Sequence, residues 1–322
     1  MPSGIRSCPL LFLLVPILLC SNGSVSGSDQ QTAAVAQGLA YVQTTGQQWM
    51  SDRGCVSCHQ VPSMIWSHEA ARTAGNSVSV DKLFEWESWA TEVVNFVKPH
   101  QKEDADEKAT MASNIDTMSQ LLLAIPRRDG AAWRKRFVDA LVTEQKSDGS
   151  WRACGQLPNQ RRPKLETTAT TTLWTTLALA REGAEFDASS AIRFADRVKD
   201  PISTEYLATR LLVATTRDSE KVARLQEALL AQQNDDGGWG WRLGESSDAL
   251  GTGYALYALA LSEADRSRLD AARQYLLSTQ ASSGRWAVRS TKPSEQNEVT
   301  ATASDWGTAW AVVALSSSAP AP

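Results

Sequence analysis

The sequence predicts an all-α fold built from about six stacked helical hairpins, and three observations carry that prediction. Three segments share the pattern Gln-x-x-x-Gly-x-Trp: Gln145 to Trp151, Gln233 to Trp239 and Gln280 to Trp286. Each follows an amphipathic stretch, such as Val222 to Gln232 or Arg268 to Thr279. Each precedes a loop and then an Ala/Thr/Leu-rich stretch of helical length, such as Thr168 to Ala180 or Ala249 to Leu261. The spacing is regular as well. Gly149 and Gly237 lie 88 residues apart, Gly237 and Gly284 lie 47 apart, and a step of 95 back from Gly149 reaches Gly54. The period is therefore about 44 to 47 residues, with degenerate copies near Pro99-His100 and Asp200-Pro201. Such a period belongs to stacked helical hairpins, and six pairs fill the chain between Gln31 and Ser316.

Within each copy the residue types have separate tasks. The glycine suits a helix end that needs positive φ. The tryptophan can fold back on the helix just finished, and the glutamine can bond free backbone groups there. Twelve Trp against six Phe and five Tyr suggests a repeated packing role for indoles or an aromatic-lined cavity.

The N-terminus carries other signals. Arg6, the twelve apolar positions Pro9 to Cys20 and the small residues Val25-Ser26-Gly27 read as a secretory signal over residues 1–27. That predicts an exported protein, periplasmic or extracellular. A lipoprotein anchor at Cys20 is the alternative, but Leu19 is bulky where such a site wants a small residue. No other apolar run reaches 18 residues, so no transmembrane span is expected. Residues 31–316 are expected to form one domain and residues 317–322 a disordered tail. The net charge of -4 leaves no basic excess for phosphates, which argues against nucleic acid.

The Gln-x-x-x-Gly-x-Trp segments resemble the repeat of squalene–hopene cyclases and related terpenoid cyclases. Protein prenyltransferase β-subunits share the fold. The resemblance implies an α/α toroid: outer helices ending in the glutamine signature, inner helices lining a central cavity. It implies an isoprenoid-directed activity, with a small apolar ligand in that cavity. The residues for such chemistry are wanting, however. The cyclases use an Asp-x-Asp-Asp proton donor, and the nearest match, Asp104-Ala-Asp106-Glu107, sits in a charged stretch. The zinc site of the prenyltransferases needs a histidine, and none follows His100.

Asp116 and Asp305 are the candidate catalytic acids, because both lie among apolar neighbours on the inner stretches. Capping or bridging of helix ends is the structural alternative for both. Trp174, Tyr254, Tyr257, Trp306 and Trp310 fall in register there and either line a cavity or pack as core. Three polar loops, Pro99 to Lys108, Arg152 to Glu166 and Ala287 to Glu298, should lie together at one end of a ring.

Cys55-Val-Ser-Cys58-His59 is the one motif with cofactor chemistry. It resembles the c-type cytochrome attachment site, where two thiols bond a haem and the histidine ligates the iron. The resemblance implies one covalent haem c on Cys55, Cys58 and His59, with His59 the proximal iron ligand. Met64, His68 and His100 are the distal candidates, with Met111 and Met118 further possibilities. A Cys55–Cys58 disulfide, a thioredoxin-like pair, or a metal site recruiting Cys154 remain open for the same residues. The expected function is redox chemistry or electron transfer with a protein partner. The alternatives are a cyclase-like enzyme and a non-catalytic scaffold.

Overall fold

The computed structural model describes residue 1 and residues 27–56, 60–128 and 130–318. Most of the export signal, and positions 319–322 of the tail, lie outside these residues. So do Cys58 and His59. Ser317 is the last residue of the last helix.

Thirteen α-helices follow one another among the described residues: α1 (Gly27–Arg53), α2 (Val61–Thr73), α3 (Val80–Thr91), α4 (Glu107–Ala112), α5 (Ile115–Ala124), α6 (Ala132–Thr143), α7 (Lys164–Glu182), α8 (Ala188–Ala195), α9 (Thr204–Arg217), α10 (Ser219–Leu230), α11 (Ala249–Leu261), α12 (Arg266–Thr279) and α13 (Ala301–Ser317). They form two concentric layers. The inner helices α2, α5, α7, α9, α11 and α13 each pack on the next, and α13 packs back on α2. Outside them stand α1, α3, α6, α8, α10 and α12, with α4 as a short extra turn. This is the α/α toroid of six hairpins that the repeat predicts. No described helix is long and apolar enough to cross a membrane.

The inner helices are buried nearly all round, so their composition must satisfy every polar group internally. The threonines of α7 do this by back-bonding. Thr170, Thr172 and Thr175 each donate a hydroxyl proton to the carbonyl four residues earlier, at 2.8 to 2.9 Å. Small residues let α11 and α13 approach closely. A Cβ on Gly253 would stand 2.8 Å from the Trp310 backbone carbonyl carbon.

The repeat motif works as a staple between neighbouring hairpins. Gly149, Gly237 and Gly284 adopt φ of 87°, 86° and 83°. The following tryptophans are buried and donate Nε1–H back to Leu141, Leu229 and Leu276, at 2.6 to 2.9 Å. Their backbone N–H groups bond Thr172, Thr252 and Thr308 of the inner layer. The glutamines differ from the sequence expectation. Besides the glycine carbonyl of its own turn, each Nε2 reaches forward to the next outer helix or its cap: Gln145 to Asp187, Gln233 to Arg268, Gln280 to Ala34. The last contact is with α1, so the third staple closes the ring.

The centre of the ring is filled. Trp66 of α2 meets Trp174 of α7 at 5.8 Å and Tyr257 of α11 at 5.9 Å, although these helices are not neighbours in the ring. Trp174 meets Trp310 of α13 at 5.8 Å, and Tyr254 meets Trp310 at 4.3 Å. Aromatic rings reaching across the axis plug it, with the tilted and edge-on geometries such pairs prefer.

Candidate functional site

All six inner helices run in one direction, so their N-termini share one end of the ring, and the outer-to-inner connections gather there. Residues 97–101 and 154–156 line one cleft together. Farther along, Arg161 N–H bonds the Thr291 carbonyl at 2.7 Å, joining the second and third polar loops. The three loops thus meet as a rim. The cleft bounded by the first two has a volume of about 730 Å³. Its walls include Trp49, Asp52, Cys55, His100 and Cys154, and Asp116 lies in its floor.

Asp116 stands in the first turn of α5, where the helix dipole favours a carboxylate. It is 4% exposed. One oxygen accepts from Thr171 Oγ1 at 2.7 Å and the other from the Cys154 backbone N–H at 3.0 Å. Burial pushes its pKa up to about 6. Those two hydrogen bonds and the Arg162 guanidinium pull against the rise, while the Glu205 carboxylate adds to it. Asp116 is therefore a protonatable carboxyl at neutral pH, in a cleft, electrostatically coupled to a second acid.

Glu205 and Arg162 form a buried pair beneath the rim. Arg162 donates to Glu205 Oε2 at 2.9 Å, and Trp174 Nε1–H donates to Oε1 at 3.1 Å. Glu166 is buried too and accepts from the backbone N–H groups of Ile202 and Ser203. Sequence reasoning missed these three residues. The signal was present: Asp116, Glu166, Glu205 and Asp305 all fall within the first five residues of an inner helix, and Asp248 caps another.

Asp305 has a different setting. It accepts from Tyr41 Oη of α1 at 2.8 Å and from Gln60 Nε2 at 3.2 Å, so it ties α1 and the start of α2 to α13. Burial raises its pKa, as it raises that of Tyr41. It does not line the cleft; Thr302, one turn earlier, does.

The residues read as haem ligands are scattered. Cys55 lines the cleft and is half-buried, its thiol pushed up by burial. Met64 is buried against Gly46, whose added Cβ would stand 2.3 Å from its sulfur. His68 is buried, with Nδ1 2.8 Å from the Met64 carbonyl and its ring edge-on to Trp86. Burial lowers its pKa to about 4, so it is neutral. His100 is exposed at the cleft mouth. Met111 lies outside this cleft on α4, and Met118 is buried in α5.

Comparison with known proteins bears on the fold. No protein-family model matches the chain, and no curated protein matches it. Among solved structures, a glycosyl hydrolase family 88 protein from Bacteroides vulgatus is similar, with a TM-score of 0.53 at 11% identity, covering 89% of this chain and 98% of that one. A possible member of the GH105 family from Klebsiella pneumoniae covers 89% of this chain and 81% of its own at 12% identity, with a TM-score of 0.37. The first of these shows the same toroid.

These findings correct the cyclase and cytochrome resemblances. The matching toroid is a glycosyl hydrolase, neither a squalene–hopene cyclase nor a haem protein. The expectation of covalent haem c on Cys55, Cys58 and His59, with electron transfer to a partner, is overturned with them. Among the described residues no group of three His, Cys, Asp or Glu side chains stands close enough to hold a metal ion. The cyclase alternative fails for a physical reason as well. The axis where an isoprenoid would lie is occupied by Trp66, Trp174, Tyr254 and Trp310 packed on one another.

Proposed function

We propose that this chain is a hydrolase of the glycosidase type, acting on a glycoside bound in the cleft at the N-terminal end of the inner helices. The observation that carries the reading is Asp116, a carboxyl in the cleft floor that burial holds near pKa 6. A proton donor to a glycosidic oxygen needs such a raised pKa. The glycosyl hydrolase toroid of similar fold supports the choice of substrate class. In the proposed reaction Asp116 gives its proton to the leaving oxygen as the bond from that oxygen to the anomeric carbon breaks. A water adds to that carbon and loses its proton to a carboxylate. Asp52, exposed on the cleft wall, is the group assigned that task. The hydrophilic ligand replaces the apolar one expected from the sequence. The signal read in residues 1–27 supports a role outside the cytoplasm, where extracellular glycans are met.

The test is a screen of the purified protein for release of reducing ends from a panel of plant, bacterial and animal oligosaccharides. Wild type should cleave at least one class. The Asp116→Asn variant should lose roughly 10²-fold or more in kcat on that substrate while keeping its near-UV circular dichroism. No cleavage across the panel, or an unimpaired Asp116→Asn variant, contradicts the proposal.

A further inference from the structure

Three carboxyls are buried in one connected network beneath the rim. Asp116, Glu166 and Glu205 are each 4% exposed or less. The cation hydrogen-bonded among them is Arg162, which reaches Glu205 Oε2 at 2.9 Å and the hydroxyls of Thr170 and Ser203 at 3.3 Å. One stretch of α7 links this pair to Asp116. Thr170 accepts from Arg162, Thr171 donates to Asp116, and Trp174 donates to Glu205. Trp241 lies against the guanidinium, with 5.6 Å from its ring centroid to Cζ. Charges so enclosed act on one another through protein, where screening by water and salt is weak.

The three acids hold unequal partners. Glu205 has the guanidinium. Glu166 accepts from the backbone N–H groups of Ile202 and Ser203 at 3.0 and 2.8 Å, and from the Ser203 hydroxyl. Asp116 accepts from one hydroxyl and one backbone N–H, both neutral donors. A buried carboxylate without a cation is less stable than the neutral acid. With Arg162 committed to Glu205, the site that keeps a proton is Asp116. Charged groups on the other elements packed against α5 are engaged elsewhere. On α2, Glu69 pairs with Arg72 and Arg128, and the neutral His68 ring contacts the Met64 carbonyl. On α6, Arg134 pairs with Glu182, and Arg136 with Glu107 of α4. Burial pushes the Cys154 thiol up, and the cleft-wall groups Asp52, Arg53, Lys98 and His100 are exposed.

We infer that Glu205 is a positioning residue for the cleft acid: by taking Arg162 for itself it withholds the counter-charge from Asp116 and leaves the proton there. For its effect on turnover the inference rests on the glycosidase reading; the charge assignment stands on the network alone.

The experiment is a carbon-13 NMR titration of the Asp116 carboxyl in full-length protein labelled at aspartate, the signal being identified by its loss in Asp116→Asn. The wild-type midpoint should lie near 6. Glu205→Gln frees the Arg162 charge and should lower the midpoint by about one unit, whereas Arg162→Gln leaves Glu205 unbalanced and should raise it by about as much. Glu205→Asp keeps the charge and should stay near wild type. Loosening of the fold would move both glutamine variants the same way, and should one fail to fold, the direction of the other decides. On a cleaved substrate, Glu205→Gln should cut kcat/KM at pH 7 about tenfold by moving the alkaline limb down. An unmoved midpoint in either glutamine variant, shifts of one sign in both, or an equal drop in Glu205→Asp overturns the inference. Opposite shifts without any cleavage overturn the hydrolase and leave the charge assignment standing. Cleavage with unmoved midpoints does the reverse.

Discussion

Gly284→Ala should destabilise the protein by more than about 3 kcal/mol, far above the median for a single substitution. Two costs combine at this position. Its φ of 83° is a conformation L side chains rarely take, worth about 1 to 2 kcal/mol. An added Cβ would also stand 2.2 Å from the Gln37 carbonyl oxygen and 2.6 Å from its carbon. Those are backbone atoms of α1, which cannot step aside without moving the helix. The contact lies where the last hairpin meets the first, so relief of the clash opens the ring. Gly183 supplies the control. Its φ is 70°, but nothing lies within 4 Å of an added Cβ. Gly183→Ala should lose only the backbone part. Denaturant midpoints of the two variants check this, and equal losses would show that the staple glycine is not a packing contact.

Folding stability should fall as the pH rises from about 4 to about 6. Burial raises Asp116 and Asp248 to about 6 from an ordinary value of 3.8. In that window the folded state keeps two protons that the unfolded chain releases. His68 has the opposite sign. Its folded value of about 4 lies below its ordinary 6.5, so the unfolded chain holds a proton that the folded state lacks. The balance is roughly one extra proton on the folded state, hence a loss of about 1.4 kcal/mol per pH unit. Asp305, raised by burial, pushes the same way. The exposed carboxylates Asp148, Asp187, Asp218 and Asp265 are lowered by local hydrogen bonds, so their effect falls below this window. Urea titrations at pH 4.5, 5.5 and 6.5 should show the decline. Asp248→Asn should flatten it and His68→Leu should steepen it. Stability that rises across the window would contradict these assignments.

The fold was legible because the repeat names its own geometry. A glycine at positive φ followed by a buried indole recurs at Gly149, Gly237 and Gly284, and the period sets the number of hairpins. The destination of each glutamine was not legible. It lies on the next outer helix or its cap, some 35 to 42 residues ahead in two copies and on α1 in the third. Nor could spacing reveal that Trp66, Trp174 and Trp310 meet across the axis. Helical register says which face an aromatic occupies, not how far the ring closes around it. Asp116 was legible as an acid among apolar neighbours. Its partners Thr171 and Cys154, and the Glu205–Arg162 pair beneath, depend on contacts between hairpins. Cys55-x-x-Cys58-His59 misled because a five-residue pattern carries no information about its surroundings. In the fold, Cys55 belongs to a rim connection beside the cleft.

The central claim is that Asp116, as the protonated acid in the cleft floor, drives the chemistry. The pH dependence of kcat/KM on a cleaved oligosaccharide tests it most directly, since that quantity reports ionisations of the free enzyme. The account predicts an alkaline limb that falls with an apparent pKa near 6, absent from the residual rate of Asp116→Asn. A rate that stays level from pH 5 to 8, or the same limb in the asparagine variant, would assign the proton to another group.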